Sequence, residues 1–287
     1  MKTSGTINRR RFLQTGLVGS TVLASVTSPG TLLAAVTKTE RDPFHGLKVG
    51  LTTYTFHKFP FDEAIAMTKQ AGVKYISIKD VHLPLKSTRE QRLDARKKIE
   101  DAGLILMGGG VIDIKGKPED MRNVFEYAKD LGMATIVCTA EPSDLEAIEK
   151  LVKEYDLRIA IHNHGPGDKR FPSPFDVLRA VKQLDARMGL CIDVGHTVRI
   201  GVDPIDAIEQ CASRLYEFHM KDVNEATPKG KPVPVGKGVI DIVGVLKALL
   251  KLQWPYHVAL EYEANADAPM PGVLESFAYM RGVLAAI

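Results

Sequence analysis

Five of the eight histidines, His82, His162, His164, His196 and His219, fall just after short apolar runs. Imidazole ligates metals and moves protons near neutral pH, so its collection at such places is a chemical signal. Two carboxylates share the placement, Asp193 in CIDVGH and Glu261 in ALEYE. A carboxylate directly after buried apolar residues is costly unless something compensates it, and a cation does so. With His219 in EFHMKD they make three ligand-type residues on three successive runs. Such a set suits a divalent ion: Mn²⁺, Co²⁺, Mg²⁺ or Zn²⁺.

Further candidates surround this trio. The segment IHNHGPGD carries His162 and His164, whose i, i+2 spacing puts both on one face of an extended strand. His162 is the expected fourth ligand, and His164 is a second candidate ligand, a proton-transfer group or a substrate contact. Glu141, which ends CTAEP, competes for the fourth position and for substrate, or stands as a solvated loop carboxylate. Lys79 and His82 finish SIKDVHLP. A lysine beside a divalent cation has its pKa lowered, which suits proton transfer; a plain ion pair with Asp80 or Asp222 is the other reading. His82, His196 and Arg199 are expected to touch substrate. Alone, Asp193 reads equally as the N-cap of a following helix, and His219 as a satisfied core imidazole.

Eight β-rich runs position these residues, starting at Lys48, Lys74, Leu104, Ala134, Arg158, Met188, Leu215 and His257. Amphipathic helical patterns separate them, as in FDEAIAMTKQAG, where Ala64, Ile65, Met67, Thr68 and Ala71 form an apolar stripe before Gly72. Strand and helix in alternation, eight times, predict an α/β fold, a (β/α)₈ TIM barrel, in which the C-terminal strand ends share one face. The glycine fingerprint of an open dinucleotide-binding sheet is missing after the first run. Only the seventh unit is longer; its PKGKPVPVGKGVID is expected to form an ordered loop over the barrel, followed by a helix from Ile240. The loop around Gly236 and Gly238 has amides for an anion but no phosphate-binding pattern.

Length and charge narrow the classes. A chain of 287 residues with net charge +3 and no basic block beyond its start implies neither nucleic acid nor a membrane surface as partner. Cys138, Cys191 and Cys211 are odd in number and widely spaced, so they read as buried thiols rather than a disulfide framework. The first 35 residues differ from the rest: Arg9 and Arg10 precede Phe12, Leu13 and a mildly apolar stretch that ends near Ala34 and Ala35. This resembles a twin-arginine export signal, with a disordered basic tail as the alternative. The stretch is too short and too broken to span a bilayer. The expected order is a signal over 1–35, a linker over 36–46 and a barrel over 47–287. The precursor would use the twin-arginine (Tat) export machinery, and the mature periplasmic protein would have no stable membrane association.

Six segments, CIDVGHTVRIG, EFHMKDV, VGKGVID, ALEYE, IKDVHLPL and AIHNHGPGD, carry a family resemblance. The chain resembles the xylose isomerase-like barrels, also called sugar phosphate isomerases/epimerases, and the resemblance is closer to an exported subgroup that also shows IKDVHLPL and AIHNHGPGD. The resemblance implies metal ligands at Asp193, His219 and Glu261. It places the family's usual fourth ligand, a glutamate, at His162, a departure from the pattern. In many relatives that glutamate and the final one form the acid/base pair; here Glu261 remains, with Lys79, His164 or Glu141 as its partner. The implied activity on a carbohydrate is proton abstraction next to a carbonyl, giving isomerisation or epimerisation of an unphosphorylated sugar or keto-sugar. The alternatives are a lyase that eliminates the aglycone from 3-keto-glycosides and a non-catalytic periplasmic sugar-binding barrel. Metal-dependent hydrolysis, as in related endonuclease barrels, would need a larger cluster and a basic cleft.

Overall fold

The computed structural model describes residues 42–287. The expected export signal and residues 36–41 of the expected linker lie outside the described residues. The remainder of that linker belongs to the barrel body: Phe44 is buried edge-on against Phe277, with ring centroids 6.5 Å apart, and Arg281 lies over its ring.

All eight apolar runs form barrel strands. In chain order they begin with β1 (Lys48–Thr52), β2 (Tyr75–Ile78), β3 (Ile105–Ile114) and β4 (Thr135–Ala140). Then come β5 (Arg158–His162), β6 (Met188–Asp193) and β7 (Leu215–Met220). A small hairpin, β8 (Asp222–Val223) and β9 (Pro232–Val233), precedes the last barrel strand, β10 (His257–Leu260). Neighbours in the barrel are parallel, and β10 pairs with both β7 and β1 to close it. Strands β4, β6 and β7 are buried along their whole length, which is why their sequences are nearly continuous apolar runs.

The intervening helices are α1 (Phe61–Gln70), α2 (Arg89–Asp101), α3 (Pro118–Leu131), α4 (Leu145–Tyr155) and α5 (Pro174–Val181). They continue with α6 (Val194–Arg199), α7 (Pro204–Cys211), α8 (Ile242–Lys251) and α9 (Met270–Ala286). Local chemistry sets their ends. Thr88 with Gln91 and Ser173 with Asp176 form capping boxes at α2 and α5, and Gly132 closes α3 at φ 74°. In α1 the buried positions are Ala64, Ile65 and Thr68.

The helices pack on one face of the strands. Val49, Leu51, Ile136, Ile159, Ile161, Leu190, Ile192 and Leu260 belong to that core. Val137, Ala160 and Cys191, at alternate positions, fall in a separate small cluster with Tyr216. Because strand side chains alternate, His162 shares a face with Ala160, and Asp193 shares one with Cys191. Fold and sequence period together therefore put the ligand-type residues inside the barrel at its C-terminal end.

The long seventh unit is ordered by one carboxylate. Asp222 Oδ2 accepts the amides of Gly236 (2.9 Å) and Gly238 (3.0 Å), while Oδ1 accepts those of Val223 (2.9 Å) and Ile240 (3.3 Å). A Cβ on Gly238 would sit 2.1 Å from Asp222 Oδ1, so only glycine admits this wrap. The loop amides offered to an anion by the sequence are thus already spent inside the protein.

Candidate functional site

β5, β6, β7 and the residue after β10 each deliver one donor to the same point. Potential ligand atoms of His162, Asp193, His219 and Glu261 all lie within 4.8 Å of one another, and all four residues are buried. Strand register produces this: His162 pairs with Cys191 across β5–β6, and Asp193 with His219 across β6–β7. His162 Nε2 stands 3.6 Å from Asp193 Oδ2, and His219 Nδ1 3.3 Å from Glu261 Oε2. Regular tetrahedral coordination with bonds of ~2.0–2.1 Å separates its ligand atoms by about 3.4 Å.

Among the described residues, both ring nitrogens of His162, both of His219 and Asp193 Oδ2 are buried without a hydrogen bond, although Lys221 Nζ stands 3.1 Å from Asp193 Oδ2. Leaving a buried polar atom unpaired costs about 1–3 kcal/mol, and five of them at one spot is a strong departure from ordinary packing. A divalent cation would take one nitrogen from each imidazole together with Asp193 Oδ2, so the residues fit the ion that the sequence implies.

Electrostatics favour the ligating forms of His162, Asp193 and Glu261, whereas His219 is raised well above the ordinary imidazole range because Cys191 and Glu261 outweigh its burial. Burial pushes His162 down to about 3, which keeps it neutral and able to donate a lone pair. Burial alone would raise the Asp193 carboxyl, but Lys221 and His196 outweigh it and hold the group well below the usual carboxylate range. Glu261 is treated likewise by Lys221 and His219.

Asp193 caps a helix with one oxygen and turns the other to the cluster. Its Oδ1 accepts the His196 amide at 2.8 Å and caps α6, while Oδ2 faces the cluster. Buried Asn163 fixes it further: Oδ1 accepts the Asp193 amide at 3.0 Å, and Nδ2 donates to Thr197 Oγ1 at 3.2 Å.

His164 and His196 join the cluster. Their ring centroids lie 4.5 Å and 5.8 Å from that of His162. His164 Nδ1 is also 3.5 Å from Asp168 Oδ2. The other expected site residues do not join. Lys79 is paired with Asp80 at 2.6 Å and donates to the Val111 carbonyl, so the plain ion pair is what forms. His82 is committed to structure, with Nδ1 3.0 Å from Thr53 Oγ1 and Nε2 within reach of the Phe56 and Phe59 carbonyls. Glu141 has a side chain 55% exposed and lies 3.6 Å from Arg170 Nη1. Arg199 donates to the Pro228 carbonyl at 3.0 Å and lies 3.4 Å from His196 Nδ1, bracing the loop after β8 against α6.

Sequence reasoning missed Lys221 and Glu263. Buried Lys221 Nζ lies 3.1 Å from Asp193 Oδ2, 3.0 Å from Glu261 Oε2 and 2.6 Å from Glu263 Oε2. Gly195 makes room for its stem, because a Cβ there would meet Lys221 Cδ at 2.9 Å. The available signal was spacing by two just past the strand ends: Lys221 comes two residues after His219, and Glu263 two after Glu261.

A closed eight-stranded β/α barrel with a buried donor set at the C-terminal strand ends defines the class of molecule. The chain belongs to the xylose isomerase-like TIM barrel family, whose model matches residues 65–283. No curated protein sequence matches it. Among solved structures it is similar to an uncharacterized Parabacteroides distasonis protein, with 24% identity, 82% of this chain and 98% of that one covered, and TM-score 0.65. It is also similar to the E. coli 3-keto-D-glucoside 4-epimerase (15% identity, 82% and 99% covered, TM-score 0.68). A third is a D-psicose 3-epimerase (15% identity, 84% and 98% covered, TM-score 0.64). These likenesses establish the shared fold.

Proposed function

We propose that this protein is a divalent-metal-dependent carbohydrate enzyme that abstracts a proton next to a carbonyl of an unphosphorylated sugar or keto-sugar, as an isomerase or epimerase. The observation that carries this reading is the buried quartet of His162, Asp193, His219 and Glu261 with its five unpartnered atoms. The sugar epimerases among the fold relatives support the substrate class. Consumption of the Gly236 and Gly238 amides by Asp222 supports an unphosphorylated substrate.

A bound divalent ion supplies Lewis-acid polarisation of the substrate carbonyl. His162, Asp193, His219 and Glu261 would hold it. The close contacts of Glu261 fall on Oε2, so Oε1 is free of ion pairs among the described residues and takes the proton from the carbon beside the carbonyl. His164 and His196 orient substrate hydroxyls at the rim. Thr139 Oγ1 and Asp113 Oδ1, buried without hydrogen-bond partners at paired positions of β4 and β3, offer further partners for hydroxyl groups. Lys221 keeps Glu261 and Asp193 ionised. The resemblance of the first 35 residues to a twin-arginine export signal supports a periplasmic address for this activity.

Elimination of an aglycone from a 3-keto-glycoside is the second reading. It is favoured by histidine at position 162, because elimination needs one base where epimerisation needs a proton delivered from the other face. Solvent exchange tests the shared step. Metal-loaded enzyme in D₂O is expected to place deuterium beside the carbonyl of 3-keto-glucose, and Glu261→Gln, kept loaded with excess metal because the change also touches a ligand, to abolish exchange. Unchanged exchange in that variant would refute Glu261 as the base.

A further inference from the structure

We propose that the barrel centre selects a borderline ion, Zn²⁺ or Co²⁺, over Mn²⁺ and Mg²⁺, and that His162 sets the selection. This rests on the quartet being a divalent-ion centre and adds which ions it takes. Three observations converge on it.

Half of the quartet is imidazole. Hard ions such as Mg²⁺ and Mn²⁺ draw their affinity from carboxylate, carbonyl and water oxygens, whereas Zn²⁺ and Co²⁺ gain from nitrogen donors. Each of the two histidines has both ring nitrogens buried and unpartnered, so neither is held by a protein hydrogen bond.

The two carboxylates are already partly neutralised. Lys221 Nζ sits 3.1 Å from Asp193 Oδ2 and 3.0 Å from Glu261 Oε2, on the oxygens nearest the histidines. An ion held mainly by charge loses most from a buried ammonium at that distance. An ion held by nitrogen lone pairs loses less.

The third observation lies deeper in the barrel. Cys191 is free and buried, and His162, Cys191 and His219 form a second donor group within 4.8 Å that shares both histidines with the quartet. A sulfur atom therefore stands beneath the imidazoles, a donor type that again suits Zn²⁺ and Co²⁺.

The test is competition among metals. The full-length protein, stripped with chelator, is dialysed against equal concentrations of Zn²⁺, Co²⁺, Mn²⁺ and Mg²⁺, and bound metal is measured by mass spectrometry. Most nitrogen and oxygen sites hold Zn²⁺ above Mn²⁺, so the decisive quantity is the change in the bound Zn/Mn ratio upon His162→Glu. We expect Zn²⁺ and Co²⁺ to fill the wild-type protein, and the ratio to fall roughly tenfold or more in that variant. Wild-type protein holding Mn²⁺ or Mg²⁺ as fully as Zn²⁺ would overturn the proposal, as would a folded variant with an unchanged ratio. Should His162→Glu not fold, His162→Gln is read the same way. Binding of no ion at all would remove the metal centre itself, an outcome distinct from binding without selection.

Discussion

The two halves of the barrel mouth carry similar residues with opposite fates. On the β1–β4 side, His82 has three oxygen partners and Lys79 is tied to Asp80 and the Val111 carbonyl. On the β5–β10 side, His162 and His219 have no hydrogen-bond partner on either nitrogen. Position at a strand end is the same for both. What separates a structural histidine from a ligand is whether the surrounding chain satisfies it, and unmet demand marks where something else must bind.

Changes on the unsatisfied side should produce the largest effects. Asp193→Asn is expected to weaken Zn²⁺ binding by at least the ~10–100-fold that follows loss of a residue merely supporting a ligand, measured by titration calorimetry. Because asparagine still caps a helix, the metal-free Asp193→Ala protein should be less stable than Asp193→Asn by about 1 kcal/mol. Equal stability of the two would show that the cap is idle.

Across the mouth the pattern should reverse. His82→Ala leaves Thr53 Oγ1 and two carbonyls without their partner and should cost about 1–3 kcal/mol in urea denaturation, with metal stoichiometry intact. Loss of the metal in that variant would erase the contrast between the halves. Burial lowers the pKa of His82 below 6.5, outweighing the Phe56 and Phe59 carbonyls that raise it. A group depressed in the fold gives stability above its unfolded pKa that is lost as pH falls through the folded value. Metal-free wild-type protein should therefore lose more stability than His82→Asn as pH drops below about 6.5. The smallest effect belongs to Lys79→Met, whose partly exposed ion pair is worth about 0–1 kcal/mol and whose loss should not alter metal content.

The architecture was readable because strand period, helix stripe and spacing agree in every unit, and each apolar run became a barrel strand. Asp193, His219, Glu261 and His162 were readable for the same reason: a ligand-type side chain after buried residues is an anomaly visible in one dimension. His82, Glu141 and Arg199 looked like site residues from sequence because their partners are remote, whereas Asp80, which pairs with Lys79, is its neighbour and that ion pair was one of the two readings open from sequence. Thr53 lies 29 residues from His82, and Pro228 lies 29 from Arg199. Lys221 escaped because a lysine in HMKD has the look of a surface charge, and only the closed barrel brings it against Asp193 and Glu261.

Anomalous diffraction from crystals of the Zn²⁺-loaded protein tests the central claim most directly. One peak bonded to His162, Asp193, His219 and Glu261 is the expected result. A protein that binds no ion there, or that holds it elsewhere while these four side chains stay unbound, would contradict the account.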